Sequence, residues 1–332
     1  MTRRLLAVTL ALGLIAAACS DDGGSEAAST TTTAAETTTS TVAESTTTTT
    51  STTTTTTTTV PPVVVNATRV FVDDTRTTPA TGDQPELPER TLDVWVEALD
   101  TDDARPLIIF NHGLTGHPRS HVLLREHLAE AGFVVASPAF PLTNQDSGFA
   151  NAGDISGQVG DVSFVIDSML EDPEFGPLID PDRIGVIGHS LGGLTTAGAA
   201  LSVDGDHRVD AAVVMSAGFG DVRDDVAVMV LHGDEDRIVP IASSTASWAF
   251  TEANRRMFVT LIGGNHLLGI LDDESDYGPI VRGLAVGFFA HELGHDPAGA
   301  VDAALAIGGD LVTIEAGTPD GPLDDWPDFF AG

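Results

Sequence analysis

The segment Gly188-His189-Ser190-Leu191-Gly192-Gly193 sets one hydroxyl among small residues. The apolar run Ile184–Ile187 precedes it and the small-residue stretch Leu191–Leu201 follows it. A serine in that setting fits a tight strand-to-helix turn of the Gly-x-Ser-x-Gly kind, which presents the side chain as a nucleophile. A serine hydroxyl is weak near neutral pH and needs a base beside it, itself oriented by an acid. Two later loops carry such groups. Asp236 lies in His232-Gly233-Asp234-Glu235-Asp236-Arg237-Ile238-Val239-Pro240, after the apolar run Val226–Leu231. His266 ends Gly263-Gly264-Asn265-His266, after the run Met257–Ile262. Ser190, Asp236 and His266 thus follow one another at successive strand ends, where open α/β sheets place their sites. Asp234 and Glu235 are alternative acids on the same loop. Acyl transfer also needs two backbone N–H groups for the oxyanion. Leu191 offers one, and Leu114, after His112-Gly113, offers the other.

A second pattern competes. His291-Glu292-Leu293-Gly294-His295 matches His-Glu-x-x-His, which on a helix can hold zinc with the glutamate as base. The extended form of that pattern needs Gly and His where this chain has Ala298 and Val301, and Pro297 ends the helix at once. The expectation is therefore a closing helix with no metal, with Phe288 and Phe289 toward the sheet and Glu292 and His295 toward solvent or the C-terminal tail. His112, His117, His121 and His127 share one loop and helix without a recognisable ligand spacing; His232 is expected to pack beneath the acid loop.

These residues need elements to hold them. Short apolar runs at 70–73, 92–98, 107–111, 133–136, 184–187, 211–215, 226–231 and 257–262 read as strands. Helical spacing covers 120–131, 159–170, 191–201, 241–253 and 280–293. Alternation of the two predicts an α/β fold: a mostly parallel central sheet with helices on both faces. Only residues 217–225 separate the strands at 211–215 and 226–231, so no large cap domain is expected.

The chain has 332 residues, a formal net charge of −34, no lysine and a single cysteine, Cys19. One cysteine excludes a disulfide framework, and the negative surface disfavours nucleic acid. Residues 1–19 read as a lipoprotein-type signal: Arg3-Arg4, an apolar run from Leu5 to Ala18, then Cys19 as the lipidation site. Residues 20–62 are dominated by Thr, Ser, Ala and Glu, too polar to fold, and read as a tether. Residues 63–332 form the expected catalytic domain, extracytoplasmic and held to the membrane through Cys19.

Together, Phe110-Asn111-His112-Gly113, Gly188-His189-Ser190-Leu191-Gly192-Gly193, the acid loop and Gly264-x-His266 resemble the α/β-hydrolase superfamily. Its branch of dienelactone hydrolases, platelet-activating-factor acetylhydrolase-like enzymes and cutinase-like polyester hydrolases is the most similar, an impression helped by Arg90-Thr91-Leu92-Asp93-Val94-Trp95. The resemblance implies a triad of Ser190, Asp236 and His266, oxyanion donors at Leu114 and Leu191, no cofactor, and a carboxylic ester as substrate. Polyester, lactone or amide hydrolysis is the alternative reaction. A non-catalytic surface lipoprotein with the same fold is the alternative of another class. Two departures stand out: dienelactone hydrolases use cysteine where this chain has Ser190, and polyester hydrolases place an aromatic residue where it has Leu114.

Overall fold

The computed structural model describes residues 63–295 and 310–317, apart from 83, 149, 221, 222, 250, 252, 254, 272 and 273. Cys19, the signal and the tether lie outside the described residues. Among the described residues no helix is long and apolar enough to cross a membrane.

Nine strands form one sheet: β1 (Val64–Asp73), β2 (Arg90–Leu99), β3 (Arg105–Asn111), β4 (Val134–Ala139), β5 (Ile179–His189), β6 (Val209–Met215), β7 (Ala227–Gly233), β8 (Arg256–Leu261) and β9 (Val312–Gly317). Their spatial order is β1-β2-β4-β3-β5-β6-β7-β8-β9. From β4 to β8 the neighbours are parallel, while the pairs β1–β2, β2–β4 and β8–β9 are antiparallel. The expected mostly parallel sheet is therefore present, with one strand, β9, that the sequence patterns did not suggest.

Among the described residues five α-helices cover it: α1 (Val122–Glu130), α2 (Ile155–Glu171), α3 (Leu191–Thr196), α4 (Ala242–Trp248) and α5 (Tyr277–Glu292). The central strands are apolar on both faces and feed two cores. Leu107, Ile109, Val186, Val214 and Val230 meet α2 and the stretch after α3, with Val162, Val165, Ile166 and Ala199. Ile108, Phe110, Ile187, Val213 and Leu231 meet α1 and α5, with Leu124, Leu128, Leu284, Phe288 and Phe289. Such two-sided burial explains why these strands read as unbroken apolar runs. Phe288 and Phe289 do face the sheet.

Glu292 and His295 correct the expectation. Glu292 is turned inward and takes a forked ion pair from Arg255, at 2.6 Å and 3.0 Å. The His295 Nε2 lies 3.1 Å from the Gly132 carbonyl, and its ring packs edge-on against Phe133, 5.6 Å between centres. A buried carboxylate needs a cation, and the arginine that precedes β8 supplies it. The helix at 241–253 is also shorter than its spacing suggested. Thr245, Ser247 and Thr251 each give their hydroxyl to a carbonyl three or four residues back, a competition that weakens helices rich in such residues.

Residues 216–226 alone join β6 to β7, which leaves no room for a cap domain.

Candidate active site

The site forms at the C-terminal ends of β5, β7 and β8. Ser190 sits between β5 and α3 with φ 56°, a left-handed backbone that a non-glycine residue rarely adopts. Its own N–H is tied to the Met215 carbonyl at 2.9 Å. The turn survives because its neighbours have no side chains: a Cβ on Gly188 would come 2.2 Å from the Gly192 carbonyl oxygen, and one on Gly192 would come 2.1 Å from that of Asn111. The residue at the top of the turn is thereby pushed up where a partner can reach it.

His266 is that partner. Its Nε2 lies 3.0 Å from Ser190 Oγ, and its Nδ1 lies 2.7 Å from Asp236 Oδ2. Of the three acids on the loop after β7, Asp236 is the one that meets the imidazole. Asp234 instead accepts the Gly263 N–H at 2.7 Å. Asp236 Oδ1 accepts the N–H groups of Ile238 and Val239, both at 2.8 Å. Burial alone would push the Asp236 carboxyl up. The donors from His232, His266 and Val239 outweigh it and hold the carboxyl well below the usual carboxylate range.

The loop after β3 presses against the nucleophile: a Cβ on Gly113 would meet the His189 carbonyl at 3.2 Å and Ser190 Cβ at 3.3 Å. The next N–H is that of Leu114. The flanking groups are occupied, Thr115 N–H by the Thr143 carbonyl at 2.7 Å and Gly116 N–H by the Gly113 carbonyl at 2.9 Å. Leu191 begins α3 directly after Ser190, so its N–H belongs to the unpaired first turn. The two donors expected from the sequence, Leu114 and Leu191, follow directly on Gly113 and on Ser190 in the chain.

Several further residues hold this arrangement. The His266 carbonyl accepts from His189 Nε2 at 2.7 Å and from Ser216 Oγ at 3.1 Å. Burial pushes the His189 imidazole down to about 3, so it is a neutral ring with its proton on Nε2. His112 Nε2 accepts the Phe140 N–H at 3.1 Å, and its Nδ1 donates to the Gly113 carbonyl at 2.8 Å. A buried chain runs from Thr195 Oγ1 to Gln158 Oε1, and from Gln158 Nε2 to Thr143 Oγ1, both 2.6 Å. It links the helix behind the nucleophile to the loop that anchors Thr115. His189 stood inside the motif itself; nothing local marked Gln158 or Ser216.

His291 and His295 do not converge. His291 Nδ1 lies 3.3 Å from both Arg255 and Glu292, whereas His295 turns to Gly132. Among the described residues, no three His, Cys, Asp or Glu side chains are grouped to hold a metal.

Sheet order, the elbow at the end of β5 and the loops that follow β3, β7 and β8 define the α/β-hydrolase fold. One solved structure that shares it is a ferulic acid esterase from Streptomyces cinnamoneus, with a TM-score of 0.55 and 19% sequence identity over 74% of this chain and 94% of that one. No family model matches the sequence, and no curated protein matches it.

Proposed function

We propose that the protein is a serine hydrolase that cleaves carboxylic esters through an acyl-enzyme, secreted and lipid-anchored at Cys19. The observation that carries this reading is the continuous path from Ser190 Oγ through His266 to Asp236, at 3.0 Å and 2.7 Å. Ser190 Oγ attacks the ester carbonyl while His266 Nε2 takes its proton. The N–H groups of Leu114 and Leu191 receive the oxyanion. As the tetrahedral adduct collapses, His266 returns the proton to the leaving alcohol. Water then repeats the sequence on the acyl-enzyme, releasing the acid and restoring Ser190. Asp236 stays ionised throughout and balances the imidazolium. Ester hydrolysis is favoured over the other acyl transfers by the esterase activity named for the structural neighbour. The short link between β6 and β7 holds no cap domain, which suits bulky esters, polymers included.

The test is to label membrane and soluble fractions of expressing cells with a fluorophosphonate probe, and to assay them with p-nitrophenyl esters of increasing chain length. Wild type is expected to label in the membrane and to hydrolyse. Ser190→Ala should do neither, and Cys19→Ala should move the labelled protein out of the membrane fraction. Turnover retained by Ser190→Ala would overturn the mechanism, and an unmoved Cys19→Ala would overturn the anchor.

A further inference from the structure

We propose that His232 is a positioning residue for the site: a second imidazole on Asp236, held doubly protonated, so that the carboxylate bridges a fixed imidazolium and the working base. The inference rests on the hydrolase reading only for its effect on turnover.

His232 is a β7 residue with no exposed surface. Its Nε2 lies 2.8 Å from the Val239 carbonyl and 3.2 Å from Asp236 Oδ2. Both are acceptors, so Nε2 carries a proton. Its Nδ1 lies 2.5 Å from Ser244 Oγ on α4. A serine has a single hydroxyl proton, and that of Ser244 is directed at the Ala217 carbonyl, 2.7 Å away. The Ser244 oxygen is then the acceptor toward His232, and Nδ1 carries a proton as well. With acceptors at both nitrogens the ring is an imidazolium.

Its surroundings match that charge. Asp236, with a fully buried side chain, is the one charged group among the described residues that is paired with it. The elements packed against it contribute neutral acceptors: Ser244 from α4, the Ala217 carbonyl after β6 and the Val239 carbonyl from its own loop. Beyond Asp236 lie His266 and then His189, whose rings are 4.8 Å apart. The contrast with His112 is direct, since its Nε2 receives an N–H from Phe140 and so cannot hold a proton. A buried carboxylate facing one neutral imidazole would be costly to desolvate; the attraction of a second, charged imidazole offsets part of that cost. It also tempers the pull of Asp236 on the proton that His266 accepts.

The test uses the full chain labelled with 15N in histidine. Ring nitrogens are recorded between pH 6 and 8, and the His232 pair is identified by its loss in His232→Gln. Both nitrogens are expected at protonated positions across the range. An unprotonated Nδ1 beside a protonated Nε2 would overturn the proposal. Ser244→Ala, which removes the Nδ1 acceptor and spares β7, should convert that pair to the neutral form; it also identifies the pair if His232→Gln fails to fold. In kinetics, either variant should move the acid limb of the kcat/KM profile up by about one pH unit, with KM little changed. A limb that stays in place, in a variant that folds, would overturn the proposal. Absence of ester hydrolysis in wild type would sink the hydrolase reading and leave the nitrogen result standing.

Discussion

Ser190, His266 and Asp236 are each under local constraint, and the strain gathers around them. The four non-glycine residues with positive φ among those described are Thr115, Ser190, Ser216 and Leu268. They lie on the loop after β3, at the elbow, at the end of β6 and two residues past His266. Such conformations cost about 1–3 kcal/mol each and persist where surrounding contacts enforce them. Here the contacts are visible: Ser216 gives its hydroxyl to the His266 carbonyl, and Thr115 is pinned by Thr143. The acid loop offers the sharpest comparison at this scale. Asp236→Asn should lower kcat/KM on the order of 10⁴-fold, because the amide no longer holds the imidazole proton or offsets its charge. Asp234→Asn keeps an oxygen for the Gly263 N–H and should cost a few-fold at most. Steady-state kinetics on both variants decides the matter, and a reversed ranking would reassign the acid.

At the level of elements, close approach of backbones is what assembles the site. The elbow requires β3, β5 and α3 to meet with no side chains between them. The acid and base loops meet the same way: a Cβ on Gly233 would fall 2.2 Å from the Gly264 carbonyl oxygen. These are backbone obstacles, which cannot swing aside as a side chain can. Gly192→Ala is therefore expected to destabilise the fold by about 3 kcal/mol or more, beyond the usual range for an added methyl in a core. Chemical denaturation of Gly192→Ala against wild type measures it, and a loss under about 1 kcal/mol would show the elbow to be looser than described. The β2 strand is tied to α2 by charge instead. Arg90, fully buried, forks onto Asp161 at 2.6 Å and 2.7 Å and reaches Asp154 at 2.5 Å. Burial works against its charge, yet the two carboxylates hold it protonated.

For the molecule as a whole, buried imidazoles set the response to acid. Burial pushes His112 down to about 3 and His121 down to about 4, as it does His189 to about 3. In the unfolded chain each would take a proton near 6.5. Between those limits the unfolded state binds three protons that the folded state refuses, so stability falls as pH drops below about 6.5. Glu97 opposes this: burial pushes it up to about 7 from 4.5, so the folded state binds a proton first. The three imidazoles outweigh the one carboxyl, so between about pH 4.5 and 6.5 stability falls as pH drops. Calorimetry should find Tm dropping clearly from pH 7 to pH 5. A level or rising Tm over that window would mean that these rings are protonated in the folded state.

Geometry written in short stretches of chain was legible without the structure. The Gly-x-Ser-x-Gly turn needs small residues at fixed offsets, and two-sided burial needs unbroken apolar runs, so Ser190 and most of the strands declared themselves. The chain order of acid and base pointed to Asp236 and His266, though it could not separate Asp236 from Asp234 and Glu235. That choice depends on which carboxylate the loop turns toward the imidazole. β9 went unseen because an edge strand pairs on one side only and carries a weak pattern. Glu292 and His295 were misjudged for a related reason: spacing gives a helix its faces, but Arg255 and Gly132 come from elsewhere in the chain. The grip of His189 and Ser216 on the His266 carbonyl, and of His232 on Asp236, joins residues from 4 to 77 positions apart. Contacts of that kind follow from the packing of the sheet, since no local propensity encodes which distant carbonyl a buried imidazole will meet.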